Sequence, residues 1–264
     1  MKSTVDQIRQ RFDNDVARFS NLDIGQSAVV DSPLCMHLVA SSAAAVSPHA
    51  RDLLDIGCGA GNYTLKLIEI LEAARGRQAG AGPIALNCTL LDLSDPMLRK
   101  AAERVTPRTA GTVTLSQADM RDIEWGDEAF DIVVTASALH HLRTDAEWHH
   151  VFSKIFRALR PGGSFWIFDL IEQVHPAIET LMTQRYGDYL EALKGGGETG
   201  RAYREHVFAY IAEEDTPKSL MYQLDLLRSV GFRDVDILHK SVKGAAFGGV
   251  KPPTTPAREK TAKP

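Results

Sequence analysis

Three glycines at alternate positions, close to an acid, are the first residues of this chain that could do chemistry. Gly57, Gly59 and Gly61 stand in LLDIGCGAGNYTLKLIE, residues 53–69, after an apolar run that contains Asp55. Glycine destabilises strands and helices by roughly 0.5–1 kcal/mol relative to alanine, so three of them in five residues need a reason. A sharp turn from strand to helix, at which backbone N–H groups approach a ligand, supplies one. The pattern therefore predicts a cofactor-binding loop.

The glycine spacing and the nearby acids narrow the class of cofactor. Glycine turns of this kind serve nicotinamide, flavin and sulfonium nucleosides alike. The spacing here is Gly-Cys-Gly-Ala-Gly, whereas a pyrophosphate at a helix N-terminus favours GxGxxG. An anionic Asp55 beside the turn would repel phosphate and attract a sulfonium or ammonium group. Asp92 ends the next apolar run, where a carboxylate can accept both hydroxyls of a ribose. These features favour a positively charged nucleoside.

Four histidines in the segment ALHHLRTDAEWHH are candidate proton acceptors. His140 and His141 follow the predicted fourth strand, at the rim where an acceptor would approach, and imidazole titrates near neutral pH. A structural role in the cofactor pocket explains them as well. His149 and His150 fall on a predicted helix face, and no carboxylate stands at a reliable spacing to complete a metal site. We therefore expect His140 and His141 as the catalytic candidates and no bound metal.

The chain that positions these residues alternates between apolar strands and helical segments. Five strand-then-helix units in succession predict a parallel sheet with helices on both faces. Such a sheet binds its ligand at the carboxyl ends of the strands, where the glycine turn and the acids stand. The predicted strands are RDLLDIG, ALNCTLLDL, GTVTLSQAD, FDIVVTASAL and SFWIFDL.

Further helices are predicted before and after these units. Residues 5–20 carry an apolar stripe at three- and four-residue intervals, and another helix is predicted over 33–46. Residues 172–215 show no clear strand and are rich in Arg, Tyr and His. A helix over 216–230 then precedes two β runs that are joined by SVKG, which predicts a closing hairpin.

Composition and charge exclude several classes of protein. The chain has 264 residues, 44% of them hydrophobic, a net charge of −4 and a pI near 6.1. This charge gives no general attraction to a polyanion, so nucleic acid is not expected as a partner. Three cysteines without a CxxC motif are typical of a reduced protein. The charged start is unlike a signal peptide, and no run of about 18 apolar residues could span a membrane. We therefore expect a cytoplasmic protein.

Five motifs, in this order along the chain, resemble those of class I S-adenosylmethionine-dependent methyltransferases. They are LLDIGCGAGN, LLDLSDPML, SQADMRD, FDIVVTASALHHL and ALRPGGSFWIFD, and they span about residues 50–170. The ending 220–251 matches the last helix and hairpin of the family. The resemblance implies an α/β, Rossmann-like fold with a seven-stranded, mostly parallel sheet whose last strand is antiparallel. It also implies a helical N-terminal segment, a helical insertion after strand five and S-adenosylmethionine as the cofactor.

The resemblance also assigns residues to each part of the cofactor. The methionine end is expected at the glycine turn and beside two small residues after the fourth strand. The ribose is expected at the acid that ends the second strand, and the adenine between apolar side chains with an acid at its amino edge. The residues expected at the methionine end are Asp55, Gly57, Gly59, Gly61, Ala136 and Ser137, and the residue expected at the ribose is Asp92. Those expected at the adenine are Leu93 and Met97 beside the ring and Asp119 with Met120 at its amino edge.

Five parts of the chain are predicted on this basis. They are an N-terminal helical lid (1–48), the Rossmann-like core (49–171), a helical substrate cap (172–215), the helix and hairpin that complete the core (216–251) and a disordered tail (252–264). The Gly/Ala-rich stretch 75–83 is predicted as a surface loop that lengthens the interval between Asp55 and Asp92.

The function that follows is transfer of a methyl group to a small-molecule acceptor through an O, N or C nucleophile. Because the cofactor carries the activation, the protein must mainly align the nucleophile for in-line displacement and exclude water. Aromatic and cationic residues of the insertion suit a planar or carboxylate-bearing acceptor, although a solvated helix face explains them equally well. They are Tyr186, Tyr189, Arg201, Tyr203, Arg204, His206 and Tyr210. A homodimer is compatible with the sequence.

Other functions fit the same residues. Within the family, the layout resembles most the carboxy-S-adenosylmethionine synthase of tRNA wobble-uridine modification, through the RFDNDVARF helix, the insertion and LLRSVGF. That enzyme makes a carboxylated cofactor and needs an arginine for the carboxylate, for which Arg201 and Arg204 are candidates. A methyltransferase acting on tRNA or protein comes third. A cofactor-binding regulator is a further alternative, and it would have an intact cofactor loop without an acceptor pocket.

Overall fold

A computed structural model describes residues 2–21, 27–76 and 82–254 of the chain. The centre of the predicted 75–83 loop and all but the first residues of the predicted disordered tail lie outside these ranges. Within them, no helix is both long enough and apolar enough to cross a lipid bilayer.

Seven strands form one sheet. They are β1 (Asp52–Ile56), β2 (Asn87–Asp92), β3 (Val113–Gln117), β4 (Phe130–Ala136), β5 (Leu159–Leu170), β6 (Arg233–Ser241) and β7 (Gly244–Val250). Their order across the sheet is β3-β2-β1-β4-β5-β7-β6, and β7 alone runs antiparallel to its neighbours in this sheet. The implied seven-stranded fold is confirmed. Strand order reverses between β1 and β4, so the position where such sheets bind ligands lies beside the glycine turn.

The helices of the described ranges surround this sheet. They are α1 (Val5–Asn14), α2 (Val16–Ser20), α3 (Ser32–Val46), α4 (Asn62–Ala74), α5 (Asp95–Val105), α6 (Asp145–Ala158), α7 (Pro176–Leu193), α8 (Gly197–Glu214) and α9 (Leu220–Val230). Short 3-10 turns add Thr106–Arg108 and Leu139–His141. The start of α5 shows why the sequence folds this way locally, because the hydroxyl of Ser94 accepts from the N–H of Met97 and Pro96 lies in the first turn.

Successive strand residues enter two separate apolar layers. Leu53 of β1 packs with α3, α4 and α5, whereas Leu54 packs with α6 and α9. Because successive side chains of a strand point to opposite faces, both faces of the sheet are covered. Trp148 and Phe152 of α6 are fully buried in the second layer. This is the layered sheet that the strand-and-helix alternation predicts.

The helical insertion packs against the segment that follows α2. Tyr186 and Leu190 of α7 and Val207 of α8 form a small apolar cluster with Ala28. The hydroxyl of Tyr186 donates to the carbonyl of Ala28 at 2.9 Å. The insertion is therefore held by residues that precede the sheet in the sequence.

The N-terminal helix is fastened to the end of α8. The Nε of Arg11 donates to both carboxylate oxygens of Glu214, at 2.9 and 3.0 Å. The N–H of Ser3 donates to the carbonyl of Glu213 at 3.0 Å. A partly buried guanidinium–carboxylate pair with several hydrogen bonds is stronger than an exposed pair. This contact therefore fixes α1 relative to the insertion.

Three local predictions are wrong. The single helix predicted over 5–20 breaks at Asp15, whose φ of −103° and ψ of 12° end α1 and begin α2. Residues 118–129, all of them described, contain turns in place of the helix predicted after β3. The fifth strand, predicted as SFWIFDL over 164–170, begins earlier, at Leu159, and includes 160–163 after a bulge.

A buried lysine holds the connection between β3 and β4. Lys154 of α6 is 2% exposed, and its Nζ donates to the carbonyls of Arg121 and Ile123 at 2.9 and 2.7 Å. Carbonyl groups of a non-helical connection have no helical N–H partner, so a charged donor that reaches two of them stabilises the connection. Lys154 thereby helps to keep Asp119 and Met120 at the edge of the sheet.

Lys154→Met removes this donor and keeps the length of the side chain. We expect the free energy of unfolding to fall by about 2–4 kcal/mol, because two carbonyl groups lose a charged donor. Urea unfolding followed by circular dichroism measures the loss. Lys100→Met, which removes an exposed lysine paired with Glu103, is the control and should change the value by less than about 0.5 kcal/mol. Equal losses in the two variants would contradict this role for Lys154.

Candidate active site

A cavity of about 510 Å³ lies at the carboxyl ends of the parallel strands. Small-molecule sites typically enclose roughly 300–1,000 Å³. All the predicted site residues line this cavity except Gly61: they are Asp55, Gly57, Gly59, Asp92, Leu93, Met97, Asp119, Met120, Ala136, Ser137, His140 and His141. The structure thus brings together residues from four strand ends.

The glycine turn is required by close approaches of the backbone. Gly57 has a φ of 68°, and a Cβ on it would lie 2.6 Å from the Cβ of Ala138. Gly61 has a φ of 80°, and a Cβ on it would lie 3.0 Å from a methyl carbon of Val105 in α5. Gly61 therefore allows α4 to pack against α5, and in this structure it does not touch the cavity that the resemblance assigns it to.

Asp92 is held by the backbone on either side of the cavity. Its Oδ2 accepts from the N–H of Gly59 at 2.8 Å, and its Oδ1 accepts from the N–H of Ser94 at 2.9 Å. Burial raises the pKa of Asp92, and these hydrogen bonds oppose the shift. A carboxylate has about four lone-pair positions, so two bonds leave acceptor capacity for the hydroxyls of a ligand.

Asp55 lies deeper in the wall of the cavity. It is 1% exposed, and its Oδ2 accepts from the hydroxyl of Thr64 at 2.6 Å. Burial, with a smaller contribution from the charge of Asp92, raises the pKa of Asp55 to about 7. The sequence interpretation treats Asp55 as a permanent anion, whereas this carboxyl group titrates near neutral pH. A cationic ligand nearby would favour its ionised form.

Asp119 and Met120 line the cavity on the connection that Lys154 holds. The Nε of Arg121 donates to Asp119 Oδ1 at 2.9 Å. Burial opposes ionisation of Asp119, but the hydrogen bonds and charge of Arg121 outweigh it and lower its pKa. Met97 of α5 is also buried at this wall. An ionised acid beside apolar side chains is the arrangement that the resemblance implies for an adenine.

The end of β4 supplies a wall of small residues. Ala136 and Ser137 line the cavity, and Ser137 has a φ of 52°, which is uncommon for a residue with a Cβ. Its N–H donates to the carbonyl of Phe168 at 2.8 Å. Strained backbone of this kind persists where the surrounding structure holds it, and it occurs often at ligand sites.

His140 lies between two buried carboxylates. Its Nδ1 is bonded to Asp169 Oδ1, and its Nε2 lies 3.5 Å from Asp215 Oδ1. Burial opposes protonation of His140, but the charges of Asp215 and Asp169 outweigh it and raise its pKa to about 9. Asp169 also accepts from the N–H of Leu139 at 2.8 Å, which fixes the turn that carries the histidines.

His141 has a different environment from its neighbour. Its ring centroid lies 6.0 Å from that of Phe12, and its Nδ1 lies 3.6 Å from Asp215 Oδ1. Burial, followed by the charges of His140 and Arg11, holds the pKa of His141 well below the usual value. The sequence predicts the same role for both histidines, but their surroundings favour opposite charge states.

Asp215 is the site residue that sequence reasoning missed. It follows α8, lines the cavity and is 3% exposed. Its ligand atom and those of His140 and His141 lie within 4.8 Å of one another. The sequence shows no carboxylate at a reliable spacing from the histidines, but the fold brings Asp215 beside them. The acidic run AEED at the end of the insertion is the sequence feature that could have pointed to Asp215. The sequence does not show, however, that α8 returns to the edge of the sheet.

The insertion contributes only part of its predicted aromatic and cationic set. Tyr186, His206 and Tyr210 line the cavity, and α1 and α2 add Phe12 and Phe19. The members that do not line it are Tyr189, Arg201, Tyr203 and Arg204. The guanidinium of Arg204 is paired with Glu191 at 2.5 Å. Neither of the arginines considered for a carboxylated cofactor, Arg201 and Arg204, lines the cavity.

The family and the relatives described next, which this chain resembles, are all named as methyltransferases. Residues 53–163 match the family described as Methyltransferase domain. An uncharacterized methyltransferase of Geobacillus kaustophilus is 30% identical over 146 residues, which are 54% of this chain and 59% of the relative. The demethylmenaquinone methyltransferase of Lactiplantibacillus plantarum is 29% identical over 185 residues, which are 69% of this chain and 70% of the relative. The chain spans about half the length of several other curated relatives that it matches.

A solved structure shows the same fold. The 1,6-didemethyltoxoflavin-N1-methyltransferase of Burkholderia thailandensis, with bound 1,6-didemethyltoxoflavin and S-adenosylhomocysteine, gives a TM-score of 0.58 at 16% identity. The likeness covers 96% of this chain and 92% of that chain. Fold and cavity thus define a Rossmann-like α/β protein with a small-molecule site at the switch point of its sheet. Residues 53–163 match the Methyltransferase domain family, and the solved structure shares the fold that the class I S-adenosylmethionine-dependent methyltransferase motifs imply.

The buried carboxyl group of Asp55 makes stability depend on pH. It has a pKa of about 7 in the folded chain, and an aspartate in an unfolded chain has a pKa near 3.9. Between these values the unfolded chain binds fewer protons, so this group makes the folded state less stable as pH rises. We expect a loss on the order of 4 kcal/mol across this range, which Asp55→Asn removes.

Urea unfolding of the cofactor-free protein over this pH range measures the effect. Asp225→Asn, which removes an exposed carboxylate paired with Arg228, is the control and should keep the pH dependence of the parent protein. If Asp55→Asn keeps that dependence as well, Asp55 is not the group responsible.

Proposed function

We propose that the chain binds S-adenosylmethionine and transfers its methyl group to a small-molecule acceptor. The observation that carries this proposal is that two different groups of residues line the same cavity, one from the turns after the strands and one from helices outside the sheet. The turns after β1, β2, β3 and β4 line it with the residues that the family uses for the cofactor. Helices outside the sheet line it with Phe12, Phe19, Tyr186 and Tyr210. A protein that only bound the cofactor would need no second wall of this kind.

The chemistry requires alignment more than activation. An acceptor atom attacks the methyl carbon, the carbon–sulfur bond breaks, and the sulfonium becomes a neutral thioether while the acceptor loses its proton. A cavity lined largely by apolar residues keeps water from the reacting atoms and holds both molecules in line. Residues of α1 and α8, which contact each other through Arg11 and Glu214, line this cavity on the side away from the sheet.

The histidines stand where an acceptor would lose its proton. His140 and His141 both line the cavity, and the Phe12 ring against His141 places them at the wall built by the N-terminal helix. A base role for either residue, as predicted from the sequence, stays a prediction. His141 has buried ring nitrogens without a hydrogen-bond partner in the described part of the chain, which keeps it available for the acceptor.

The names of similar proteins support a small acceptor. One relative is named for demethylmenaquinone, and the Burkholderia structure contains 1,6-didemethyltoxoflavin beside S-adenosylhomocysteine. The aromatic wall of this cavity suits a planar molecule. The position of Arg201 and Arg204 outside the cavity gives no support to synthesis of a carboxylated cofactor.

Asp92→Asn tests the cofactor half of the proposal. The change removes the charge and one of two acceptor oxygens, and a hydrogen bond to a charged group contributes about 1.5–3 kcal/mol. We expect the Kd for S-adenosylmethionine to rise about 10–100-fold in calorimetry. Asp52→Asn, at the opposite end of β1 and bonded to Asn87, is the control and should bind as the parent does. Unchanged affinity in Asp92→Asn would remove this role.

Transfer itself is tested with S-adenosylmethionine labelled in the methyl group and fractionated small-molecule extracts. We expect label in a low-molecular-weight product and formation of S-adenosylhomocysteine, both detected by mass spectrometry. Parallel reactions contain prephenate, tRNA or protein as the added substrate. A carboxylated cofactor with prephenate, or label in tRNA or protein alone, would contradict the proposal in favour of the corresponding alternative. Binding without any product would indicate a regulator.

A further inference from the structure

A buried cluster on the cavity wall presents three electron-pair donors to one point. His140 Nε2 and His141 Nδ1 lie 3.5 and 3.6 Å from the same oxygen of Asp215. The three ligand atoms lie within 4.8 Å of one another, and all three residues line the cavity. Donor atoms of this kind repel one another unless a cation or a proton lies between them.

The carboxylate of this cluster lacks a partner in the described part of the chain. Both oxygens of Asp215 are buried and make no hydrogen bond to the residues described, and the same is true of both ring nitrogens of His141. A buried ionised carboxylate without compensation costs several kcal/mol. A proton on His140 or a metal ion between the three residues would compensate this charge.

The basic side chains around the cluster are bonded elsewhere. Arg11 is bound to the carboxylate of Glu214, and Arg143 Nη1 donates to the backbone carbonyl of the same residue. Lys2 donates to backbone carbonyls, including that of Asp215, and not to its carboxylate. The charges of these three cations act on Asp215 from a distance, but none of the three donates a hydrogen bond to its carboxylate.

A second carboxylate orients the first histidine. Asp169 Oδ1 accepts from Nδ1 of His140, which places the lone pair of a neutral ring on Nε2, directed at Asp215. Histidines that bind metal ions usually have their other ring nitrogen bonded to a carboxylate or carbonyl in this manner. Asp169 is fixed in turn by the N–H of Leu139 at 2.8 Å.

We propose that His140, His141 and Asp215 bind a divalent transition-metal ion of the Zn²⁺ type. Ligands about 2.0–2.2 Å from one ion with tetrahedral angles are separated by about 3.3–3.5 Å. The two separations from Asp215, 3.5 and 3.6 Å, fit that geometry, and the three ligand atoms all lie within 4.8 Å of one another, so small side-chain rotations complete it. Two imidazoles and a carboxylate suit Zn²⁺ and its first-row neighbours rather than Mg²⁺ or Ca²⁺.

The fourth position of this ion faces the cavity, because all three ligands line it. If the proposed methyl transfer holds, on which this step rests, the position takes an oxygen of the acceptor, such as a hydroxyl or carboxylate. A bound cation lowers the pKa of a coordinated hydroxyl group and thereby favours loss of its proton. His140 and His141 then act as ligands and not as bases.

Metal binding is tested on the full chain without cofactor or acceptor, so its result does not depend on methyl transfer. The protein is stripped with a chelator and titrated with Zn²⁺ by calorimetry and with Co²⁺ by visible absorption. We expect one ion per chain and the intense absorption bands of four-coordinate Co²⁺. The alternative is that His140 is protonated and forms ion pairs with Asp169 and Asp215. In that case the stripped protein takes up neither Zn²⁺ nor Co²⁺ stoichiometrically.

Variants separate this site from adventitious histidine binding. We expect Asp215→Asn and His141→Gln to weaken Zn²⁺ at least 100-fold and Asp169→Asn about 10–100-fold. The control replaces the exposed pair His149 and His150 by Gln and should bind as the parent does. Circular dichroism and urea unfolding verify folding of each variant.

Four outcomes would overturn the metal site. The first three are absence of stoichiometric uptake by the stripped protein, full Zn²⁺ affinity in Asp215→Asn, and loss of the ion in the His149 and His150 control. Co²⁺ bands typical of six-coordinate water-bound ions would have the same consequence, because they place the ion outside this three-ligand cluster.

Discussion

Buried carboxylates at one edge of a parallel sheet, held by backbone N–H groups, are the interaction on which the rest of this structure depends. Asp92 accepts from Gly59 and Ser94, and Asp169 accepts from Leu139. A buried acid without such donors would be very costly to ionise. The turns after the strands must therefore adopt backbone conformations that present N–H groups to the acids. Those same conformations place the turns around a single cavity, so the stability of the acids and the shape of the site have one cause.

The two walls of the cavity differ in how they are built. The wall at the sheet edge is formed by short turns whose ends are fixed by parallel strands, and its residues follow the strands directly in the sequence. The opposite wall is formed by α1 and α8, which meet through the ion pair of Arg11 with Glu214. Asp215 belongs to this second wall but completes a cluster with histidines of the first. The chemistry of the site therefore depends on the docking of helices that the sheet does not itself position.

The sequence predicts what local spacing controls. The strands, the glycine turn and the acids at strand ends follow from periodicity and motif order, and twelve of the thirteen predicted site residues line one cavity. What it misses depends on contacts between distant segments. The connection after β3 is held by hydrogen bonds from Lys154 to its carbonyl groups in place of the expected helix. Asp215 lies beside the histidines only because α8 brings it back to the edge of the sheet. Gly61, whose motif position suggests the cofactor, lies against Val105 of α5 and outside the lining of this cavity, and its role at the cofactor stays a prediction.

The ion pair between α1 and α8 also determines when the protein can complete its fold during synthesis. Arg11 and Glu214 are separated by 203 positions in the chain. The first helix leaves the ribosome long before its binding partner exists, while the strands between them can already pair, because domains generally form as synthesis proceeds. Ile8 of the same helix is buried in the finished protein. Until translation of α8 is finished, α1 therefore lacks the carboxylate partner that fixes it in place.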